Sequence, residues 1–371
     1  MKKIKILQFP IANSYGGITH YALDNWYMMD KSRFQCDFAT MSPKLDFADE
    51  IEKTGAKIFY LSCYPTQDGA KFREEFNKIL DNGYDVVHLH TKQWKNVIVE
   101  EICKERGIKK VIVHSHSTRC DNNDEEIRKK ETEIHNKVKQ EFTEDLATDY
   151  WACSQMAADW LFGPQISRER IRIMHNAIDV DKFLYNEKIR RAKREELGVD
   201  DEAFVIGNIG RLCYPKNQQL LIRAFADAFK GDEKYKLLIV GEGELRDEIE
   251  FLIKELEIED QVRLLGLRYD VNELYQVFDL FALSSRFEGL GLVAIEAQAA
   301  GLKVLLNENL PKEVEISENC FRIEEDQDSW SSVLKRYSKP YVRKNMKKTI
   351  IDARYDLKNE IVFIENEYKN I

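Results

Sequence analysis

Ser284-Ser285-Arg286-Phe287-Glu288-Gly289-Leu290-Gly291-Leu292-Val293-Ala294-Ile295-Glu296-Ala297 reads as the end of a buried strand, a glycine-containing turn and the opening of a helix. The turn presents backbone N–H groups where the helix begins, and that is a natural anion site. Glu288 and Glu296 stand seven residues apart. One acid precedes the helix N-terminus, and the other is expected two turns inside. The two could hold hydroxyl groups on either side of a bound phosphate. The layout suits a nucleotide sugar, with phosphates in the middle, the sugar at one end and the ribose at the other. The small residues Ala297, Ala299, Ala300 and Gly301 allow the helix to pack closely on a sheet.

The same strand-to-helix unit repeats from end to end. Short β-branched runs occur at 4–9, 36–40, 57–61, 85–90, 110–116, 149–154 and 170–175. They restart at 204–210, 236–241, 262–266, 279–285 and 303–306. Amphipathic stretches separate them, which is the pattern of parallel sheets covered on both faces. A charged stretch over 123–146 reads as one exposed helix, and the basic cluster Arg190–Arg194 as part of another. The break falls near Asn176-Ala177-Ile178-Asp179, where a strand gives way to an irregular polar stretch. The expected fold class is α/β, as two doubly wound Rossmann-like domains facing a central cleft. Ligands of such sheets sit at the carboxyl ends of the strands.

Size and composition agree with that plan. The chain has 371 residues, 43% hydrophobic and 33% charged, enough for two cores and a well-solvated surface. No apolar run approaches the length of a membrane span. The first residues, MKKIKILQF, alternate lysine with apolar side chains, as a strand does and a secretory signal does not. The seven cysteines are scattered with no C-x-x-C pair, which points to reduced thiols in a cytoplasmic protein. A net charge of -9 argues against nucleic acid as a partner.

Other constellations fall at strand ends. Gly16 and Gly17 follow the first strand and open a helix, so the backbone there can approach a phosphate or simply make a tight turn. No G-x-G-x-x-G fingerprint is present at that point, which counts against a dehydrogenase. His88-Leu89-His90 and His114-Ser115-His116 each place two histidines on one face of a strand. They read as a metal site, as polar contacts for a sugar or leaving phosphate, or as buried, satisfied histidines. His116 is favoured for the ligand site. In Gly210-Arg211-Leu212-Cys213-Tyr214-Pro215-Lys216, two cations bracket a loop and could neutralise a leaving diphosphate. Gly241-Glu242-Gly243 begins a second glycine motif, but Arg246 stands where its last glycine would be. That loop either wraps a nucleotide base or turns the chain.

Together these residues resemble the retaining glycosyltransferase family 4, of the GT-B type, over essentially the whole chain. The Glu288–Glu296 element is its best-known mark. The likeness is nearest to the bacterial capsular and exopolysaccharide transferases. It rests on Tyr15-Gly16-Gly17-Ile18, Phe34-Gln35-Cys36-Asp37-Phe38, Val113-His114-Ser115-His116-Ser117, His175-Asn176-Ala177-Ile178-Asp179 and Leu310-Pro311-Lys312-Glu313-Val314. Ala177 departs from the glycine common at its position, and Tyr214 lies at a variable one.

The resemblance implies an acceptor-binding domain over 1–178, completed by a C-terminal helix at 356–371, and a nucleotide-sugar-binding domain over 179–355. It implies that Glu296 binds the donor ribose, and that Glu288 with the backbone of Gly289 and Leu290 contacts the donor sugar. Arg211 and Lys216 would hold the diphosphate, with Gly16, Gly17 and Gly241 also at the donor. His116 would lie beside the anomeric centre. The implied reaction transfers a hexosyl unit, with retention, from a nucleotide-diphosphate sugar (UDP-linked) to a glycan or lipid-linked saccharide in capsular or exopolysaccharide biosynthesis. The implied chemistry is front-face attack, with the leaving phosphate taking the acceptor proton. No metal or other cofactor is expected. Lys129, Lys130, Lys137 and Lys139 could dock on anionic lipid at the inner membrane face, or form a solvated helix face. The rival readings are a metal-dependent hydrolase built on the H-x-H pairs, a nucleotide-sugar epimerase, and a non-catalytic nucleotide-sugar-binding subunit.

Overall fold

The computed structural model describes residues 2–13 and 16–371. Its contacts divide into two compact units. The first contains 1–120, 124–177 and 357–371, and the second 121–123 and 178–356.

The first unit is built on a seven-stranded sheet with the order β3-β2-β1-β4-β5-β6-β7. Its strands are β1 (Ile4–Ile11), β2 (Phe34–Thr40), β3 (Ile58–Tyr60), β4 (Val86–Thr91), β5 (Lys110–Ser115), β6 (Asp149–Ala152) and β7 (Ile171–Ile173). Every pairing is parallel. Parallel neighbours need crossovers, and helices supply them. These helices bury the central strands on both faces, so β4 and β5 are buried along most of their length even though they carry His88, His90 and His114. The strand order reverses direction between β1 and β4. That reversal opens a crevice at the carboxyl ends of the two strands. The helix Gly17–Met28 starts there, just beyond β1. The final helix, Leu357–Lys369, belongs to this unit and puts Ile361, Ile364 and Tyr368 into its core.

The second unit has six parallel strands in the order β10-β9-β8-β11-β12-β13. They are β8 (Phe204–Ile209), β9 (Tyr235–Val240), β10 (Val262–Leu264), β11 (Leu280–Leu283), β12 (Lys303–Asn307) and β13 (Cys320–Ile323). Here the order reverses between β8 and β11. The loops after those two strands are the ones that carry Lys216 and Glu288. Strand β13 has no counterpart in the sequence reading, because Cys-Phe-Arg-Ile is too short and mixed to show a period.

Several expectations shift in detail. The charged helix is Glu125–Glu141, capped by Asp124, whose carboxylate accepts from the Ile127 N–H at 2.9 Å. The basic cluster lies on the helix Glu187–Glu196, but it works inside the unit. Arg190 pairs with Asp279 at 2.6 Å, and Lys193 lies within 2.8 Å of Asp270 and 2.7 Å of Glu273. Arg194, 2% exposed, also donates to the Asp200 and Ala203 carbonyls. Arg190 and Arg194 fasten the helix to Asp279 at the start of β11, and Lys193 fastens it to the helix Val271–Val277. No helix among the described residues is long and apolar enough to cross a membrane.

Candidate functional site

In the second unit the chain leaves β8 through Gly210 and Arg211, makes a single 3-10 turn over Tyr214–Lys216, and enters the helix Gln218–Phe229. Asn217 takes the left-handed conformation (φ 51°) at the junction. Ser284, at the end of β11, donates to the Lys216 and Asn217 carbonyls at 3.2 and 3.0 Å. That fixes the turn and aims the Lys216 side chain. Lys216 Nζ lies 2.6 Å from Glu288 Oε1, and the Ser285 hydroxyl donates to the same oxygen at 2.7 Å. Both charged side chains are largely buried, 21% and 13% exposed. The sequence had assigned Lys216 to a diphosphate and Glu288 to a sugar, with no contact between them. In this structure each is the other's counter-ion, and a diphosphate must compete with Glu288 for Lys216.

The turn from Glu288 to Gly291 leads into the helix Leu292–Ala299, with Gly291 at φ 96° as its N-cap. Only glycine takes that conformation without strain. Leu290 is buried and Gly289 partly exposed. Glu296 is the fifth residue of the helix and so sits one turn inside, not two, because the glycine turn extends to Gly291. Its Oε2 is 2.7 Å from the Tyr275 hydroxyl, which also reaches the Val293 carbonyl at 2.9 Å. Burial, and then the Glu296 charge, raise the Tyr275 pKa well above the usual tyrosine value. The phenol therefore stays a hydrogen-bond donor. Tyr275 was missed by the sequence reading: it lies on a separate helix, Val271–Val277, and nothing in the local sequence links it to Glu296.

Arg211 stands apart from this cluster. Its guanidinium is 45% exposed, 3.6 Å from Asp121 and 4.0 Å from Glu244. Exposed pairs of that kind contribute little energy, so the side chain can change partners readily. Gly241 has a structural assignment. A Cβ there would stand 2.1 Å from the Gly210 carbonyl oxygen, and φ is 137°. Gly243 is likewise pressed on Leu212. The two glycines let the loops after β8 and β9 cross, with the Leu212 N–H donating to the Glu242 carbonyl at 2.9 Å. Of the two readings left open for this loop, the turn is the one with a geometric cause.

In the first unit, Gly16 is the N-cap of the helix Gly17–Met28, with no side-chain cap. A Cβ on Gly17 would meet no atom within 4 Å, so the packing of the described residues does not require glycine there. Tyr15, quoted with these glycines above, lies outside the described residues.

The four histidines of the H-x-H pairs converge on one face of the sheet. His90 Nδ1 is 2.9 Å from His116 Nε2, and His88 Nε2 is 3.2 Å from His114 Nδ1. His88, His90 and His114 are 0–3% exposed, while His116, just beyond β5, is partly exposed. Burial pushes the His90 pKa down to about 3. It also holds His116 well below the ordinary range, with His114 and His90 adding to the effect. The group is therefore neutral near pH 7. His88, His90 and His114 bring ligand atoms within 4.8 Å of one another, close enough to hold an ion. All three rings are buried, whereas a hydrolytic metal also needs an open position for water. The Gln8 amide engages both sides of the cluster, a contact the sequence reading did not anticipate.

The docking expectation for the long helix changes as well. Lys139 Nζ donates to the Asp159 and Trp160 carbonyls at 2.7 and 2.8 Å, and Lys129 pairs with Glu125 at 3.0 Å. Two of the four lysines are thus already engaged.

Residues 189–338, most of the second unit, match the family model for glycosyl transferases group 1. The second unit is a group 1 glycosyl transferase domain. The putative glycosyltransferase EpsF of Bacillus subtilis is 26% identical over 363 residues, covering 95% of this chain and 93% of that protein. A Campylobacter jejuni N-acetylgalactosaminyltransferase, named for a diphospho-undecaprenol-linked substrate, is 38% identical over 144 residues, 39% of this chain and 36% of that one. Among solved structures, Anabaena HepE in complex with UDP superposes with a TM-score of 0.75 at 19% identity, covering both chains completely. The resemblance read from the sequence therefore holds, and the fold is GT-B.

Proposed function

We propose that the protein transfers a hexosyl unit from a UDP-sugar, with retention of anomeric configuration, to a saccharide or lipid-linked saccharide of a capsular or exopolysaccharide pathway. The observation that carries this reading is the Lys216–Glu288–Ser285 cluster at the strand-order reversal of the second sheet. It stands one loop before the helix that bears Glu296. A diphosphate arriving there draws Lys216 toward itself and frees Glu288 to accept hydrogen bonds from sugar hydroxyls. Glu296, steadied by Tyr275, accepts from the ribose. Arg211 adds a second cation for the charge that grows on the leaving group. The UDP choice is supported by likeness to a protein crystallised with UDP, and the acceptor class by the name of the Campylobacter relative.

No side chain is assigned as a covalent nucleophile. The leaving phosphate is the base for the acceptor hydroxyl, and the enzyme contributes positioning and charge stabilisation. The reaction needs no metal. Work in the cytoplasm agrees with seven free cysteines. Membrane docking by the long helix would rest on Lys130 and Lys137.

The test is a panel of UDP- and GDP-sugars with a polyprenyl-diphosphate-linked saccharide acceptor, run with and without chelator. Transfer from a UDP-hexose, with the product's anomeric coupling constant matching the donor's, is expected. Inverted product would overturn the mechanism, a GDP preference the donor, and loss of activity with chelator the metal independence. Conversion of the donor's sugar without acceptor would favour an epimerase.

A further inference from the structure

We propose that Gln8 and His90 are positioning residues that hold His116 in one tautomer, with its proton on Nε2 and a lone pair on Nδ1. The proposal rests on the reading that His116 works on the sugar.

The geometry begins with strand register. Gln8 on β1 is the Cα partner of His88 on β4, and His90 on β4 is the partner of His114 on β5. Partners in a parallel sheet share a face, and the two-residue period brings His116 to the same side. Tyr21 from the helix Gly17–Met28 covers all four rings at centroid distances of 5.0–6.1 Å. Water is excluded from the inner members: Gln8 is 2% exposed and Tyr368 fully buried. Each proton must therefore be placed by a neighbour.

The Gln8 carboxamide sets the direction. Its Oε1 is 2.7 Å from His90 Nε2, and its Nε2 is 3.1 Å from the Tyr368 hydroxyl. A carbonyl oxygen can only accept, so His90 carries its proton on Nε2. A neutral imidazole then has a bare Nδ1. That nitrogen lies 2.9 Å from His116 Nε2, so His116 must donate there. Its own Nδ1 is left as an acceptor, with no hydrogen-bond partner among the described residues. The second branch starts from the other end of the same amide. The amide donates to Tyr368, whose hydroxyl donates to His88 Nδ1 at 2.7 Å, and His88 Nε2 donates to His114 Nδ1. Rotating the amide by half a turn would reverse every donor in both branches. One side chain thus decides whether His116 offers a sugar hydroxyl an acceptor or a donor. The sequence reading gave no role to Gln8 and none of its own to His90.

The test uses whole protein labelled with 15N-histidine, with long-range proton–nitrogen correlation to read each ring. The expected wild-type spectrum shows His116 with a protonated Nε2 and an unprotonated Nδ1. The opposite pattern overturns the proposal. Gln8→Glu keeps an acceptor against His90 while reversing the Tyr368 branch, so it should preserve the His116 tautomer and most of kcat. Gln8→Leu removes the acceptor. It should give a mixed or inverted His116 tautomer and a fall in kcat of roughly ten-fold with little change in the donor KM. A purely packing role would lower the folded fraction without moving the tautomer. An unchanged tautomer in folded Gln8→Leu protein would also overturn the assignment. His116→Ala separates the two claims. If it retains full turnover while the wild-type tautomer is as stated, then the role of His116 on the sugar fails and the relay stands.

Discussion

Lys216 and Glu288 share a partly buried ion pair at 2.6 Å, and Ser285 donates to the same carboxylate oxygen. The cation assigned to the leaving group is therefore occupied before any ligand arrives. Replacing Glu288 by glutamine releases it. Glu288→Gln is expected to bind free UDP several-fold more tightly by calorimetry and yet to turn over far more slowly, because the sugar loses its acceptor. Unchanged or weaker UDP binding would count against competition for Lys216.

Removing the cation itself has the opposite signature. Lys216→Ala should lower kcat by about 10²–10³, the cost of deleting one donor aimed at developing charge. Arg211→Ala, at an exposed position, should cost less. Circular dichroism should show both proteins folded, and near-normal turnover in both would end the diphosphate assignment.

In the proposed reading, Glu296, held by the Tyr275 hydroxyl, accepts from the ribose. Glu296→Ala should weaken UDP about ten-fold, or about 1.4 kcal/mol. Tyr275→Phe keeps the ring packed but deletes the 2.7 Å hydrogen bond, and should show a smaller loss in the same direction. UDP and UMP weakened equally would place the loss at the ribose end; UMP unaffected would move it to the phosphates.

Two glycines should separate folding from binding. Gly241→Ala sets a methyl group 2.1 Å from the Gly210 oxygen at φ 137°, and is expected to cost about 2–3 kcal/mol of stability. A thermal melt should show this as a clear fall in Tm. Gly17→Ala adds a methyl group to open space, so Tm should hold while turnover falls if phosphate approaches there. Normal turnover in Gly17→Ala would remove that glycine from the donor site.

Acid should unfold the first unit early. A buried histidine with a depressed pKa contributes stability that is present above its unfolded value of about 6.5 and is lost as pH falls toward its folded value. Burial sets that folded value at about 3 for His90 and about 4 for His135. At pH 4.5, His90 alone should cost about 3 kcal/mol. His90→Gln, if folded, should show a shallower loss of stability between pH 6.5 and 4 in urea titrations. A slope equal to wild type would contradict neutral burial.

The order of elements was legible before any coordinates. Twelve strands read from short β-branched runs lie within a few residues of those observed, because a strand covered on both faces draws most of its residues from apolar types. The glycine turn before Glu296 was legible for a similar local reason, since a strand-to-helix switch needs a residue free to take positive φ. Spacing and position at strand ends singled out Lys216, Glu288, Glu296 and His116, and the family resemblance supplied the roles expected of them. Partnership was not legible. Lys216 meets Glu288 because the sheet order reverses between β8 and β11, and Glu296 meets Tyr275 because two helices pack side by side. Gln8 governs His116 through strands 82 and 26 residues apart in sequence. The sequence by itself determined which groups exist and which elements bear them, since both follow from local periodicity. Only the tertiary structure decided which charge neutralises which and where each imidazole proton resides, because those depend on distances set by strand order and packing.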